Sequence, residues 1–298
     1  MATIQHENNN VYYSTNLQLK IAGPIIELRK YGRQFFVGDR PRSMREKTKK
    51  EEKEYSDDEL QIRRYRRSKR ELYDYINCNA WEQPDLNGVT NPPLFLTLTF
   101  AENIEDIPAA NREFSKFIQR LNFYLTNAKR KYLKYVVVIE FQKRGAIHYH
   151  ALFFNMPYII GLKQTITRLW ANGFINMKST GRIRNIALYM SKYMSKRFDD
   201  PRLHGKKCYF VSRGLTSPTL VYYDNLIHEF LTYLPTESIE YEKTGIPAGE
   251  YMQTVDLTHY NLKEYPENRA SALAFLKGTG YDGPGRTPPN KIMEIPNF

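Results

Sequence analysis

The stretch "YVVVIEFQKRGAIHYHALFF", residues 135–154, decides the fold. Two runs rich in β-branched and aromatic residues, 135–142 and 146–154, flank the triplet Lys143-Arg144-Gly145, which reads as two antiparallel strands joined by a three-residue hairpin loop. Gly145 stands where such a loop needs left-handed backbone, and the loop then sets the register. Gln142 faces Ala146, Glu140 faces His148 and Val138 faces His150 in that register. Directly opposed residues project to one side of a sheet, and residues two apart on a strand share a face. Glu140, His148 and His150 therefore converge. A lone His-x-His is ordinarily a pair of strand residues satisfied by hydrogen bonds. A carboxylate inside the apolar "VVVIEFQ" is different, because burying it is costly unless a cation meets it. Two imidazoles and a carboxylate on adjacent strands form an open half-shell for a divalent cation, with positions left for water and a phosphate.

Outward from the hairpin, "LFLTLTF" (94–100) alternates as a strand, with Phe95, Thr97 and Thr99 on one face. Pro108 suits the first turn of a helix in which Phe114, Phe117, Ile118, Leu121 and Leu125 form an apolar stripe, with Lys116, Arg120, Lys129 and Arg130 elsewhere. Helices are expected over 162–173, ended by Gly173, and over 183–198. "KCYFVSRGL" (207–215) and "TLVYYDNL" (219–226) read as a further strand or two. This order predicts an α+β domain with helices against an antiparallel sheet.

In the helix over 183–198, "YMSKYMSK" (189–196) places Tyr189 and Tyr193 one turn apart on a shared face, with Lys192 and Lys196 beside them. Ile183, Ile186, Ala187, Met190 and Met194 occupy another arc that packs on the sheet. Such a tyrosine pair is more often an aromatic edge than a chemical one. A phenol is a weak nucleophile at neutral pH, and its attack on a phosphodiester needs a metal to polarise the phosphate and a nearby cation.

Toward the N-terminus, "LQLKIAGPIIEL" (17–28) and "RQFFVG" (33–38) read as short strands. A Ser56 to Glu59 capping-box pattern opens a helix near Asp57, and six of the eight residues 63–70 are basic, which makes Arg63, Arg64, Arg66 and Arg67 candidates for phosphate contact; the alternative is a solvated helix face. The turn-rich linker 82–93 is a domain boundary. Three parts are expected: an N-terminal extension with the basic helix (1–85), a central domain (86–234), and a turn-rich C-terminal extension (235–298) with a mobile tail at 278–290.

Composition limits the partners. Lys and Arg outnumber Asp and Glu by 44 to 32, a formal net charge of +12, which favours a polyanion and above all nucleic acid. The 23 Tyr and 16 Phe interleaved with cations suit unstacked bases better than a paired duplex. Two cysteines cannot build a disulfide framework or a cysteine-based zinc site, so a reducing compartment is expected. No apolar run approaches the roughly 20 residues of a membrane span, and "MATIQHENNN" lacks an apolar signal core. A soluble protein of a bacterial host cytoplasm is the expectation, with no membrane partner.

Three elements stand in order: "FLTLTF" (95–100), "EFQKRGAIHYH" (140–150) and "YMSKYMSK" (189–196). Together they resemble the HUH superfamily, in particular the rolling-circle replication initiators (Rep) of small single-stranded DNA phages, microvirus-like and gokushovirus-like, and of related plasmids. The resemblance covers about residues 90–215, and "YFVSRGL" (209–215) shares it. The tyrosine helix follows the histidine pair, as in Rep proteins and unlike conjugative relaxases. Tyr149 departs from the family's large hydrophobe between the histidines, but a phenol ring fills the same pocket.

The resemblance implies a central antiparallel sheet of about five strands flanked by helices, the HUH endonuclease fold, over 86–234. It implies that His148 and His150 bind Mg or Mn with Glu140 as third ligand, that Tyr189 and Tyr193 are nucleophiles, and that Lys192, with Lys196 one turn on, assists. Arg63, Arg64, Arg66, Arg67, Lys143 and Arg144 are the candidate DNA contacts. The implied reaction nicks single-stranded or hairpin origin DNA through a 5′-phosphotyrosine link and religates it. No G-x-x-x-x-G-K-[ST] segment occurs, so unwinding falls to a separate host helicase. The competing readings are a non-enzymatic origin-binding protein, an HUH mobilisation or transposition nuclease, and a phosphodiesterase that uses water.

Overall fold

A computed structural model describes residues 4–7, 10–38, 56–142, 144–183, 185–195, 200–203 and 208–281. The chain divides into two compact units, one of residues 54–217 and one that combines 1–53 with 218–298. Both are α+β.

The unit of residues 54–217 is built on a five-stranded antiparallel sheet. Its strands are β4 (Leu94–Thr99), β5 (Tyr135–Phe141), β6 (Ile147–Phe153), β7 (Ile175–Ser179) and β8 (Tyr209–Val211), in the spatial order β7-β4-β6-β5-β8. The expected central sheet of about five strands is thus present. The β5–β6 hairpin has the predicted register, with Glu140 opposite His148 and Val138 opposite His150, and Gly145 adopts φ +94° at the turn.

Helix α2 (Ile107–Thr126) covers one face of this sheet and begins where Asp106 accepts a hydrogen bond from the Ala109 amide, with Pro108 in the first turn. Its Phe114 packs on Tyr149 and Phe210. Phe117 meets Trp170 at the end of α3 (Leu162–Trp170). The opposite face carries α4 (Ile186–Ser195), whose Ile186, Ala187, Met190 and Met194 are buried as the apolar arc requires. Helix α1 (Asp57–Asn79) opens on the Ser56/Glu59 capping box and packs along α4, burying Leu72 and Ile76.

The second unit holds a six-stranded antiparallel sheet of β1 (Ile4–Glu7), β2 (Asn10–Ala22), β3 (Ile25–Gly38), β9 (Thr219–Val221), β10 (Ile239–Gly249) and β11 (Gln253–Asn261). Helices α5 (Asp224–Thr232) and α6 (Pro266–Gly278) belong to the same unit, and Ile227, Phe230, Ala272 and Leu276 join Leu19, Ile26 and Val221 in its core.

Several boundaries differ from the sequence reading. The basic helix falls in the unit with the five-stranded sheet rather than in a separate N-terminal part, because Leu72 and Ile76 find their burial there. The chain's two ends share one unit, since β11 pairs with β3 and β9 with β2. "TLVYYDNL" splits into strand β9 and the start of α5. Residues 239–278, expected to be turn-rich, form a hairpin and a helix. Helix α3 stops at Trp170, with Ala171 rather than Gly173 in left-handed backbone at its end. The first residues of the expected mobile tail are tied down, for the Tyr281 hydroxyl donates to the Leu220 carbonyl; 282–290 lie outside the described residues. Among the described residues no helix is long and apolar enough to cross a membrane.

Candidate metal and tyrosine site

Strand pairing brings the three candidate ligands together. Glu140, on β5, and His148 and His150, on β6, offer ligand atoms that all lie within 4.8 Å of one another. His150 is buried, while Glu140 and His148 are half-buried. The His150 Nε2 points at the Glu140 carboxylate in a short contact. Its Nδ1 lies 3.2 Å from the Thr97 hydroxyl on β4, a second contact that fixes the ring so that Nε2 is aimed at the carboxylate. Two imidazole nitrogens and a carboxylate oxygen converging on one point make a donor set suited to Mg, Mn or another divalent ion, and three protein ligands leave coordination positions open.

Tyr149, between the histidines, points to the other side of the sheet. Its ring is fully buried between Phe114 and Phe210, and its hydroxyl donates to Asn111 Oδ1 at 2.7 Å. Burial pushes this phenol well above its ordinary range of ionisation. The departure from a pure hydrophobe is thus accommodated by a single polar partner on α2.

The tyrosine helix lies directly over the triad. The Tyr193 ring stacks on the His150 ring at 3.8 Å, and the Tyr193 hydroxyl donates to the Tyr189 hydroxyl at 3.0 Å. Phe95 organises the group from β4, meeting His150 at 5.8 Å, Tyr189 at 5.2 Å and Tyr193 at 5.5 Å between ring centres. Burial, the hydrogen bond to Tyr189 and the neighbouring charges of Tyr189 and Glu140 raise the Tyr193 pKa above that of a free phenol. A positive charge at the triad acts in the opposite direction, toward phenolate.

The remaining candidates are placed less closely. Lys192 is exposed on α4; Lys196 and Lys143 lie outside the described residues. Arg63, Arg64, Arg66 and Arg67 are all exposed along α1, and Arg67 pairs with Glu71 at 3.0 Å. Arg144 turns back on the hairpin, donating to Gln142 Oε1 at 2.9 Å and to the Phe100 carbonyl at 3.0 Å. Cys78 and Cys208 are buried free thiols, and burial pushes Cys208 up to about 11.

Thr97 and Phe95 are contributors to the site that the motifs alone did not single out. Both sit on the face of "FLTLTF" assigned by alternation. Only the pairing of β4 with β6, which sets Thr97 opposite His150, reveals what they touch.

Residues 93–198 match a family model of the replication-associated proteins, the ORF2 group. No curated protein and no solved structure matches the chain. The matched segment runs from β4 through α4 and contains Glu140, His148, His150, Tyr189 and Tyr193, so the part of the chain that carries the candidate site is assigned to a family of rolling-circle replication initiators.

Proposed function

We propose that this protein is a metal-assisted, site-specific nicking and strand-transfer enzyme for single-stranded or extruded origin DNA, of the HUH two-tyrosine type. The observation that carries this reading is the Tyr193 ring stacked at 3.8 Å on His150 of the convergent Glu140, His148 and His150 set. The nucleophile and the ligands thus occupy one small volume, as proximity catalysis requires. Glu140, His148 and His150 hold Mg or Mn, and a cation bound there supplies Lewis-acid polarisation of the scissile phosphate.

A tyrosine hydroxyl attacks phosphorus and gives up its proton. A tyrosine–phosphate bond forms as the bond to the 3′ oxygen breaks, and that oxygen takes up a proton. One ester replaces another, so the reverse reaction rejoins the strand without ATP. With Tyr189 hydrogen-bonded to Tyr193, the second hydroxyl is positioned for a further transfer while the first holds a 5′ end. Lys192 and Lys196 assist by offsetting developing negative charge. Arg63, Arg64, Arg66 and Arg67, with Lys143 and Arg144, guide the DNA through phosphate contacts. Unwinding is supplied by a host helicase, in a bacterial cytoplasm.

The test is covalent capture. The full chain is mixed with a diverse pool of labelled single-stranded oligonucleotides, with Mn or with EDTA, and denatured. The expected product is a denaturant-resistant adduct that needs metal, is lost in His148→Ala, and disappears when Tyr189 and Tyr193 are both changed to Phe. Tight binding without any adduct would leave an origin-binding protein. Metal-dependent cleavage surviving the double Phe change would identify water as the nucleophile.

A further inference from the structure

The sheet face that carries the ligands does not end at His148. Antiparallel pairing sets Thr99 opposite His148, and across β4 the Thr99 amide donates to the Phe174 carbonyl at 2.9 Å. Leu98 opposite Ile175 gives the same register. Phe174, Thr99, His148 and Glu140 therefore form one row across four chain segments, on one face. The next rows continue it, with Asn176 opposite Thr97 and Lys178 opposite Phe95.

Edge strand β7 sorts its side chains accordingly. Ile175 and Met177 pack toward the core, whereas Asn176 and Lys178 are exposed. Phe174 is 77 % exposed, an unusual position for a phenylalanine beside a buried strand end. The backbone leading into it is built for this place. A Cβ on Gly173, at φ +149°, would lie 2.4 Å from the Thr99 carbonyl oxygen and 2.5 Å from the Ala101 nitrogen, so only glycine allows this segment to run so close to the end of β4.

We propose that Phe174, Asn176 and Lys178 form a subsite for unpaired DNA next to the scissile phosphate, with Phe174 stacking a flanking base, Asn176 meeting a base edge and Lys178 a phosphate. This rests on the reading that the chain acts on single-stranded DNA. Phe174 stands two inter-strand spacings from His148, about 10 Å, which is within reach of nucleotides adjoining a phosphate at the triad. An exposed ring, an amide and an ammonium in sequence suit a single strand, whose bases offer free faces; a duplex offers none. The net charge of +12 favours the same occupant.

Equilibrium binding of the full chain to a random-sequence 20-mer pool, single-stranded or as pre-formed random duplex, in EDTA, tests this without requiring nicking. Phe174→Ala is expected to weaken single-strand binding about 5- to 100-fold, the loss of one base stack, with Phe174→Trp retaining it and duplex binding unchanged. Lys178→Gln is expected to lower the slope of log K against log salt by about 0.7, one phosphate contact on a single strand. Single-strand binding by Phe174→Ala within twofold of the parent, or an equal loss on duplex, would overturn the subsite. So would concentration-dependent dimerisation abolished by Phe174→Ala, which would assign the ring to a contact between copies. Because no metal or adduct enters the readout, the subsite stands or falls apart from the nicking reaction.

Discussion

Two hairpins of this chain solve the same topological problem in opposite ways. The β5–β6 pair keeps an unbroken register from Tyr135 opposite Phe153 to Phe141 opposite Ile147, and most of its residues are buried. The β10–β11 pair shifts register three times along its length, and β10 is exposed over nearly all of it. The difference follows from what each strand would lose by slipping. A one-residue slip in a strand buried on both faces exchanges its two side-chain sets, driving Glu140 and the histidines into the aromatic layer under α2. A slip in β10 only exchanges solvated residues. Precise placement of three polar groups on one sheet face is available where apolar neighbours penalise every other register.

The sharpest way to break this comparison is to force the slip. Inserting one alanine between Gly145 and Ala146 should shift the β6 register or unfold the unit, abolishing the covalent adduct together with Mn binding. An insertion between Tyr251 and Met252, at the β10–β11 turn, should leave both within twofold of the parent. Equal effects at the two sites would remove the distinction drawn between the hairpins.

A smaller effect is expected from side-chain truncation. Phe114→Ala, beneath Tyr149, should cost about 3–5 kcal/mol in chemical denaturation, followed by the signal of the 54–217 unit. Tyr241→Ala, half-exposed on β10, should cost about 0.5 kcal/mol or less. The smallest change concerns orientation alone. Thr97→Val removes the hydroxyl beside His150 Nδ1 and should weaken Mn binding about 10- to 100-fold while the thermal midpoint stays close to the parent's; an unchanged Mn affinity would show that packing by Phe95 suffices to aim the ring.

The parts of the fold that were legible in the sequence are those where local chemistry and burial agree. The capping box at Ser56 and Glu59, Pro108 in the first turn of α2, and the Gly145 loop each act within a few residues, and each appears as read. The triad was legible for the same reason, since a three-residue loop converts chain position into cross-strand position. Where burial comes from far along the chain, the reading failed. Strand β10 has little alternation of its own and exists because β11 pairs with β3. Residues 224–232 look like the continuation of a β run until Leu226, Ile227 and Phe230 find the core they share with Leu19 and Ile26.

By itself, the sequence determined which residue types could meet a divalent cation and a phosphodiester, and on which face of strand and helix each would stand. Local periodicity and turn geometry need no distant partner. The tertiary structure alone decided that Tyr193 lies on His150, that Thr97 and Phe95 orient the pair, that the basic helix packs along the tyrosine helix, and that Phe174 joins the ligand row. Each of these depends on the order of strands in a sheet and the docking of a helix upon it, which are set by the burial of apolar surface summed over the whole unit.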